Sequence, residues 1–153
     1  MSVDITVTIG GEAGQGIQTV GDLLAQVCQR AGLYVMAIND FESRIRGGHS
    51  FVQIRISDHE IFSPRNDVHL LIALDRQTVI LHQGRIPDGG IILSDESFSE
   101  AEKPLMRVAF EKLAEQAGSG GSLPAFVLFP IFHHGTLFHI FPAGNHGLDM
   151  GSD

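Results

Sequence analysis

The chain has 153 residues, 43% hydrophobic and 18% charged, a globular composition sized for one core of about 100–200 residues. Eighteen acidic against ten basic residues leave a formal charge of -8. That excess argues against a nucleic-acid or anionic-membrane binder, since both need a cationic footprint.

Cys28 is the only cysteine. It excludes an intramolecular disulfide, points to a reducing, cytoplasmic compartment, and excludes an iron–sulfur cluster held on four thiolates of this chain alone. The opening MSVDITVTIGGEAG has neither a basic n-region nor a long apolar stretch, so no signal peptide is expected. No run approaches 18 apolar residues, so no membrane span is expected either.

Val3 to Ile9 alternates with β-branched residues at period 2 and predicts a strand. A glycine cluster, Gly10 to Gly16, follows. Ile17, Val20, Leu23, Leu24, Val27, Cys28 and Ala31 then recur at helical spacing, and Gly32 ends that amphipathic helix. Leu33 to Ile38 is almost continuously apolar, as for a strand covered on both faces. Strand, helix and strand predict a βαβ unit with a right-handed crossover.

Asn39 to Ser50 is polar and rich in Arg and Gly, which predicts a loop. Phe51 to Ile56 alternates, with Val52, Ile54 and Ile56 on one face and Gln53 and Arg55 on the other. It predicts a half-exposed antiparallel strand, pairing with Glu60 to Phe62 through a turn at Ser57 to His59. Val68 to Leu74 predicts a buried strand, with Asp75 capping a short helix over 76–83. Ile91 to Leu93 is a further strand. Arg107 to Ala117 has a helical apolar face of Phe110, Leu113, Ala114 and Ala117. Alternating strands and helices imply a layered α/β fold, mostly parallel, with an antiparallel edge hairpin.

Residues 118–153 differ from the preceding 1–117. They hold seven of the eighteen glycines, five of the ten phenylalanines and four of the eight histidines, with Asp149 and Asp153 as their only charges. Pro124, Pro130 and Pro142 break any long element there. Exposed apolar surface in this tail predicts self-association of the isolated chain. No internal repeat is visible.

Two segments carry chemistry. Gly11, Gly14 and Gly16, with Gln15 between the last two, lie between a strand and a helix. There the backbone can approach a ligand, and a helix N-terminus supplies oriented N–H groups. The order is not G-x-G-x-x-G, which counts against a stand-alone dinucleotide-binding oxidoreductase, and no P-loop pattern occurs. A tight turn that packs the helix and receives an anion or a partner's group fits better. Arg44, Arg46, Gly47, Gly48 and His49 form the second segment. Arginine forks bind carboxylate or phosphate bidentately, and glycines permit close approach. The competing reading is a solvated turn with arginines paired to Asp40 and Glu42. His49 alone reads as a polar loop residue. His69 reads as a satisfied core histidine. His133, His134 and His139 lack H-E-x-x-H spacing, so no metal site is assigned. Cys28, on the apolar helix face, reads as an inert thiol. No nucleophile–base pair is evident, so no catalytic residue is assigned to this chain alone.

These ordered motifs resemble the gamma subunit or gamma domain of 2-oxoacid:ferredoxin oxidoreductases. The resemblance runs through Ile9 to Ile17, Gly32 to Val35, Glu42 to Ser50, Val52 to Ser57, Asp67 to Asp75 and Gly89 to Leu93, covering about residues 3–117. The Ser-Arg-Ile-Arg-Gly-Gly-His form is similar to 2-oxoglutarate-type members. The resemblance implies a Rossmann-like three-layer domain working with alpha, beta and ferredoxin-like delta subunits. Such complexes decarboxylate a 2-oxoacid oxidatively with coenzyme A and pass electrons to ferredoxin. Thiamine diphosphate, magnesium and iron–sulfur clusters would sit on the partners. The chain would be inactive alone, with Gly11, Gly14, Gln15, Gly16, Arg44, Arg46, Gly47, Gly48 and His49 facing coenzyme A or a partner across a shared crevice. A further possibility weighed on the same residues is a non-catalytic interaction module. The tail lacks the N-M-x-x-L-G segment usual in the family.

Overall fold

The computed structural model describes residues 2–41, 48–95 and 105–108. The elements run β1 (Asp4–Glu12), α1 (Ile17–Arg30), β2 (Tyr34–Phe41), β3 (His49–Ser57), β4 (Leu70–Ala73), α2 (Arg76–His82), a 3-10 turn (Gln83–Arg85), β5 (Ile91–Asp95) and β6 (Leu105–Val108). One sheet holds all six strands in the order β2-β3-β1-β4-β5-β6. The pairs β1–β4, β4–β5 and β5–β6 are parallel. The pairs β1–β3 and β2–β3 are antiparallel.

The fold is the α/β class read from the sequence, with a different hairpin. β3 lies between β1 and β2, so the βαβ unit is split and β1 never pairs with β2. The edge hairpin is β2–β3, and residues 60–62 are not a strand. β3 is therefore an interior strand, and all of it is buried except Phe51 and Arg55, which are half-buried. Conversely, β2 is an edge strand rather than one covered on both faces, with Tyr34 47% and Ile38 38% exposed. Residues 39–41 and 49–50, read from the sequence as loop, extend these two strands. Arg107 and Val108 belong to β6 rather than to a helix. The remainder of that expected helix, and the tail, lie outside the described residues.

Alternation along the strands makes two cores and three layers. Val7 and Ile9 of β1, Val52, Ile54 and Ile56 of β3, and Leu70 and Ile72 of β4 pack with Ile17, Val20, Leu24 and Cys28 of α1. On the opposite face Leu71 and Ala73 of β4 and Ile92 of β5 pack with Val79 of α2, and with Val68 and Ile86. Each fully buried aliphatic side chain contributes about 1.5–3 kcal/mol. Asp75 caps α2, its Oδ1 accepting the Thr78 N–H at 2.7 Å. α1 follows β1 onto one face and α2 follows the adjacent β4 onto the other. The carboxyl ends of β1 and β4 thus form the switch point at which open α/β sheets bind ligands.

Candidate functional site

At the carboxyl end of β1 the chain turns tightly. The Gln15 N–H donates to the Glu12 carbonyl at 3.2 Å. The Gln15 side chain closes the same turn, its Oε1 accepting the Glu12 N–H at 2.9 Å. Gly11 lies beneath. A Cβ there would run into Gln15 Oε1 and come within 3.0 Å of Leu74 Cβ, so glycine is what lets the turn fold onto the sheet. Gly16 is the N-cap of α1 at φ 73, a left-handed value that L side chains rarely adopt. It offers no side-chain acceptor, and no acidic residue stands in the first turn. The first N–H groups of a 14-residue helix, with their partial positive charge, therefore face outward without a side-chain cap.

The second segment meets the first. The register pairs Glu12 with His49 and Gly11 with Ser50, and the Ala13 N–H donates to the Gly48 carbonyl at 3.1 Å. A cleft of about 330 Å³ opens here, lined by Glu12, Ala13, Gly14, Gly16, Ile17, Gln18, Asn39, Ser50, Phe51 and Val52. Gly14 and Gly16 line it. Gly11 and Gln15 support it from within. Gly48 and His49 stand at its margin. Arg44, Arg46 and Gly47 lie outside the described residues.

His49 is not a polar loop residue. It begins β3, is 2% exposed, and its Nε2 lies 3.2 Å from Nε2 of His82. His82 Nδ1 lies 3.2 Å from an Arg85 guanidinium nitrogen. The other end of the guanidinium donates to the Gln53 side-chain carbonyl, and Gln53 donates in turn to the Arg65 carbonyl at 2.6 Å. Phe51 sets its ring against His82 edge to face at 4.7 Å. Burial, then the charge of Arg85 and the proximity of His49, lower His82 to about 4 against the opposing pull of Asp75. Its ring is neutral at physiological pH. Sequence reading did not single out His82, Arg85 or Gln53, because their partners are 3 to 33 residues away and no spacing motif links them.

The other candidates are structural. Cys28 is buried, and burial raises its thiol pKa, which suits packing rather than reactivity. His69 is half-buried and accepts the Thr6 N–H on Nδ1 at 3.1 Å, so its role as a satisfied histidine holds. Among the described residues no group of three or more His, Cys, Asp or Glu is placed to hold a metal, and no helix is long and apolar enough to cross a membrane.

Residues 6–135 match the family model described as pyruvate ferredoxin/flavodoxin oxidoreductase. The chain is 32% identical over 93 residues to "2-oxoacid:ferredoxin oxidoreductase 2, subunit alpha" of Aeropyrum pernix, which spans 61% of this chain and 14% of that protein. It is 30% identical over 91 residues to "2-oxoglutarate synthase subunit KorC" of Methanothermobacter thermautotrophicus, spanning 58% of this chain and 48% of the relative. It is 31% identical over 120 residues to "Ketoisovalerate oxidoreductase subunit VorA" of the same organism, spanning 76% and 25%. The chain thus covers less than half of each of these relatives. In fold it is similar to a 2-oxoglutarate:ferredoxin oxidoreductase of Magnetococcus marinus solved with 2-oxoglutarate, coenzyme A and succinyl-CoA bound. That match has a TM-score of 0.73 at 23% identity, over 91% of this chain and 25% of that one. It is similar also to the gamma subunit of a keto/oxoacid ferredoxin oxidoreductase of Geobacter sulfurreducens, with a TM-score of 0.70 at 18% identity, over 90% and 78%.

Proposed function

Because this chain belongs to the pyruvate ferredoxin/flavodoxin oxidoreductase family, we propose that it is the gamma part of a 2-oxoacid:ferredoxin oxidoreductase and forms the coenzyme A-facing wall of that complex. The observation that carries this reading is the meeting of the uncapped α1 N-terminus with the Gly48 end of β3, tied by the Ala13 N–H and opening on one cleft. Oriented N–H groups at a helix start favour a phosphate or carboxylate. Arg44 and Arg46, in the segment that enters β3, would add charge for the same anion. Residues 118–153 form a separate C-terminal segment in this reading.

The chain supplies binding and orientation, not redox chemistry. Its lone, buried thiol does not fit a four-thiolate cluster, and no described donor group fits a metal. In this reading thiamine diphosphate, magnesium and the clusters sit on the alpha, beta and delta partners, which would decarboxylate the 2-oxoacid and pass electrons to ferredoxin. A 2-oxoglutarate-type substrate is favoured by the Ser43 to His49 motif and by the likeness to KorC. The test is 2-oxoacid-dependent ferredoxin reduction by a complex reconstituted with and without this chain, and with Arg46→Ala. Loss of a charged contact predicts a rise in KM for coenzyme A equivalent to about 1.5–3 kcal/mol. Unchanged coenzyme A kinetics in the variant, or full turnover without the chain, would overturn the proposal.

A further inference from the structure

The buried histidines admit one assignment of their hydrogens. A guanidinium only donates, so Arg85 donates to His82 Nδ1, and the hydrogen of that ring sits on Nε2. His82 Nε2 lies 3.2 Å from His49 Nε2, so His82 donates and His49 accepts. The hydrogen of His49 is then on Nδ1, a buried atom without a hydrogen-bond partner among the described residues. Two hydrogen bonds point one way, from the Arg85 turn that follows α2 to the first residue of β3. That residue follows Gly48, whose carbonyl receives the Ala13 N–H of the glycine loop. The His49 ring also faces Gly10, since a Cβ there would come within 3.2 Å of His49 Cε1.

We infer that Arg85, His82 and His49 form a one-way hydrogen-bond relay that fixes His49 as its Nδ1–H tautomer and, by anchoring the His49 ring through Nε2, positions the Gly48 carbonyl under the glycine loop. These are positioning residues, and their effect on coenzyme A rests on the function proposed above. A neutral imidazole in the middle of the relay is required, because it must accept at one nitrogen and donate at the other. Glutamine offers the same acceptor and donor from one side chain, whereas leucine offers neither.

The test has two arms. In the full chain, long-range 15N–1H correlation spectra should show His82 as Nε2–H and His49 as Nδ1–H. Amide exchange should keep Ala13 protected. His82→Leu should leave His49 a tautomer mixture and speed Ala13 exchange by up to about tenfold, the range of one neutral hydrogen bond, while Ile54 in the core stays protected. His82→Gln should restore both readouts. In the reconstituted complex His82→Leu should raise KM for coenzyme A more than it lowers kcat, and His82→Gln should reverse that. The opposite tautomers in the unsubstituted chain, or Ala13 exchange equal in all three proteins, would overturn the relay whether or not the leucine variant folds. The first arm uses no coenzyme A. A relay seen there beside unchanged coenzyme A kinetics would refute the positioning of that substrate and leave the relay itself standing.

Discussion

Replacing Gly21 with alanine separates two effects of opposite sign. Gly21 is a buried residue in the second turn of α1, where the helix backbone lies against Val52 of β3. A Cβ built there would stand 2.7 Å from one Val52 methyl and 2.9 Å from the other. Alanine improves helix propensity by about 0.8–1.0 kcal/mol over glycine. The collision falls on a β-branched side chain with little rotameric freedom, in the middle of an interior strand. Overpacking of this kind costs about 1–3 kcal/mol, so the net change is a loss on the order of 1 kcal/mol. Urea unfolding should show a lower midpoint at unchanged slope. Truncating Val52 to alanine should cost on the order of 2 kcal/mol alone, by leaving a cavity. The double variant should lose less than the sum, by about 1 kcal/mol or more, since the new methyl enters the space the valine vacates. If Gly21→Ala stabilised the chain by the propensity gain, or if the two changes were additive, the close approach of α1 to β3 would be wrong. The seating of the α1 N-terminus over the cleft would fall with it.

Other perturbations have equally definite outcomes. Asp75→Ala removes the acceptor for both the Thr78 N–H and hydroxyl and should cost about 1 kcal/mol, read by thermal or urea denaturation, with Asp75→Asn milder. Arg55 grips the Asp4 carboxylate with two nitrogens at 2.8 Å and Arg65 adds a third contact at 3.0 Å. The Arg55 hydrogen bond, opposed by burial, holds Asp4 below its ordinary 3.8. A depressed folded value means stability that is present above 3.8 and is lost as pH falls below it. The advantage of the unsubstituted chain over Asp4→Asn in urea midpoint should therefore shrink on acidification. His82 is lowered from 6.5 to about 4, so between those values the unfolded chain binds the extra proton. Stability contributed by the neutral ring is complete above 6.5 and falls as pH drops towards 4. His82→Gln should flatten that slope in urea midpoints measured across the interval.

What was legible in the sequence follows the range of the interactions. β1 and α1 announce themselves because their periods, 2 and then 3.6, depend on neighbours a few residues away. The insertion of β3 between β1 and β2 does not, because pairing order is decided by contacts across the whole sheet. Gln53 and Arg55 read as solvent-facing. In the fold Gln53 is 6% exposed and its side chain meets Arg65 and Arg85, while Arg55 meets Asp4, 51 residues away. The run Leu33 to Ile38 read as doubly covered, yet the edge position of β2 leaves Tyr34 and Ile38 open. At the site, the glycine loop was legible because strand, glycines and helix are contiguous. His82 was not, being the last residue of a seven-residue helix whose partner lies 33 positions upstream.

The most direct measurement of the central claim uses Gln18, exposed in the first turn of α1 and on the cleft wall. Gln18→Glu places a carboxylate beside a helix N-terminus and should stabilise the chain by about 0.3–1 kcal/mol. The same carboxylate should repel an anionic ligand by about 1 kcal/mol at close range in water-like surroundings. KM for coenzyme A in the reconstituted complex should therefore rise about fivefold at low salt, while the melting temperature of the full chain rises and Gln18→Lys moves KM the other way. A more stable Gln18→Glu chain whose complex uses coenzyme A as well as before would contradict the account.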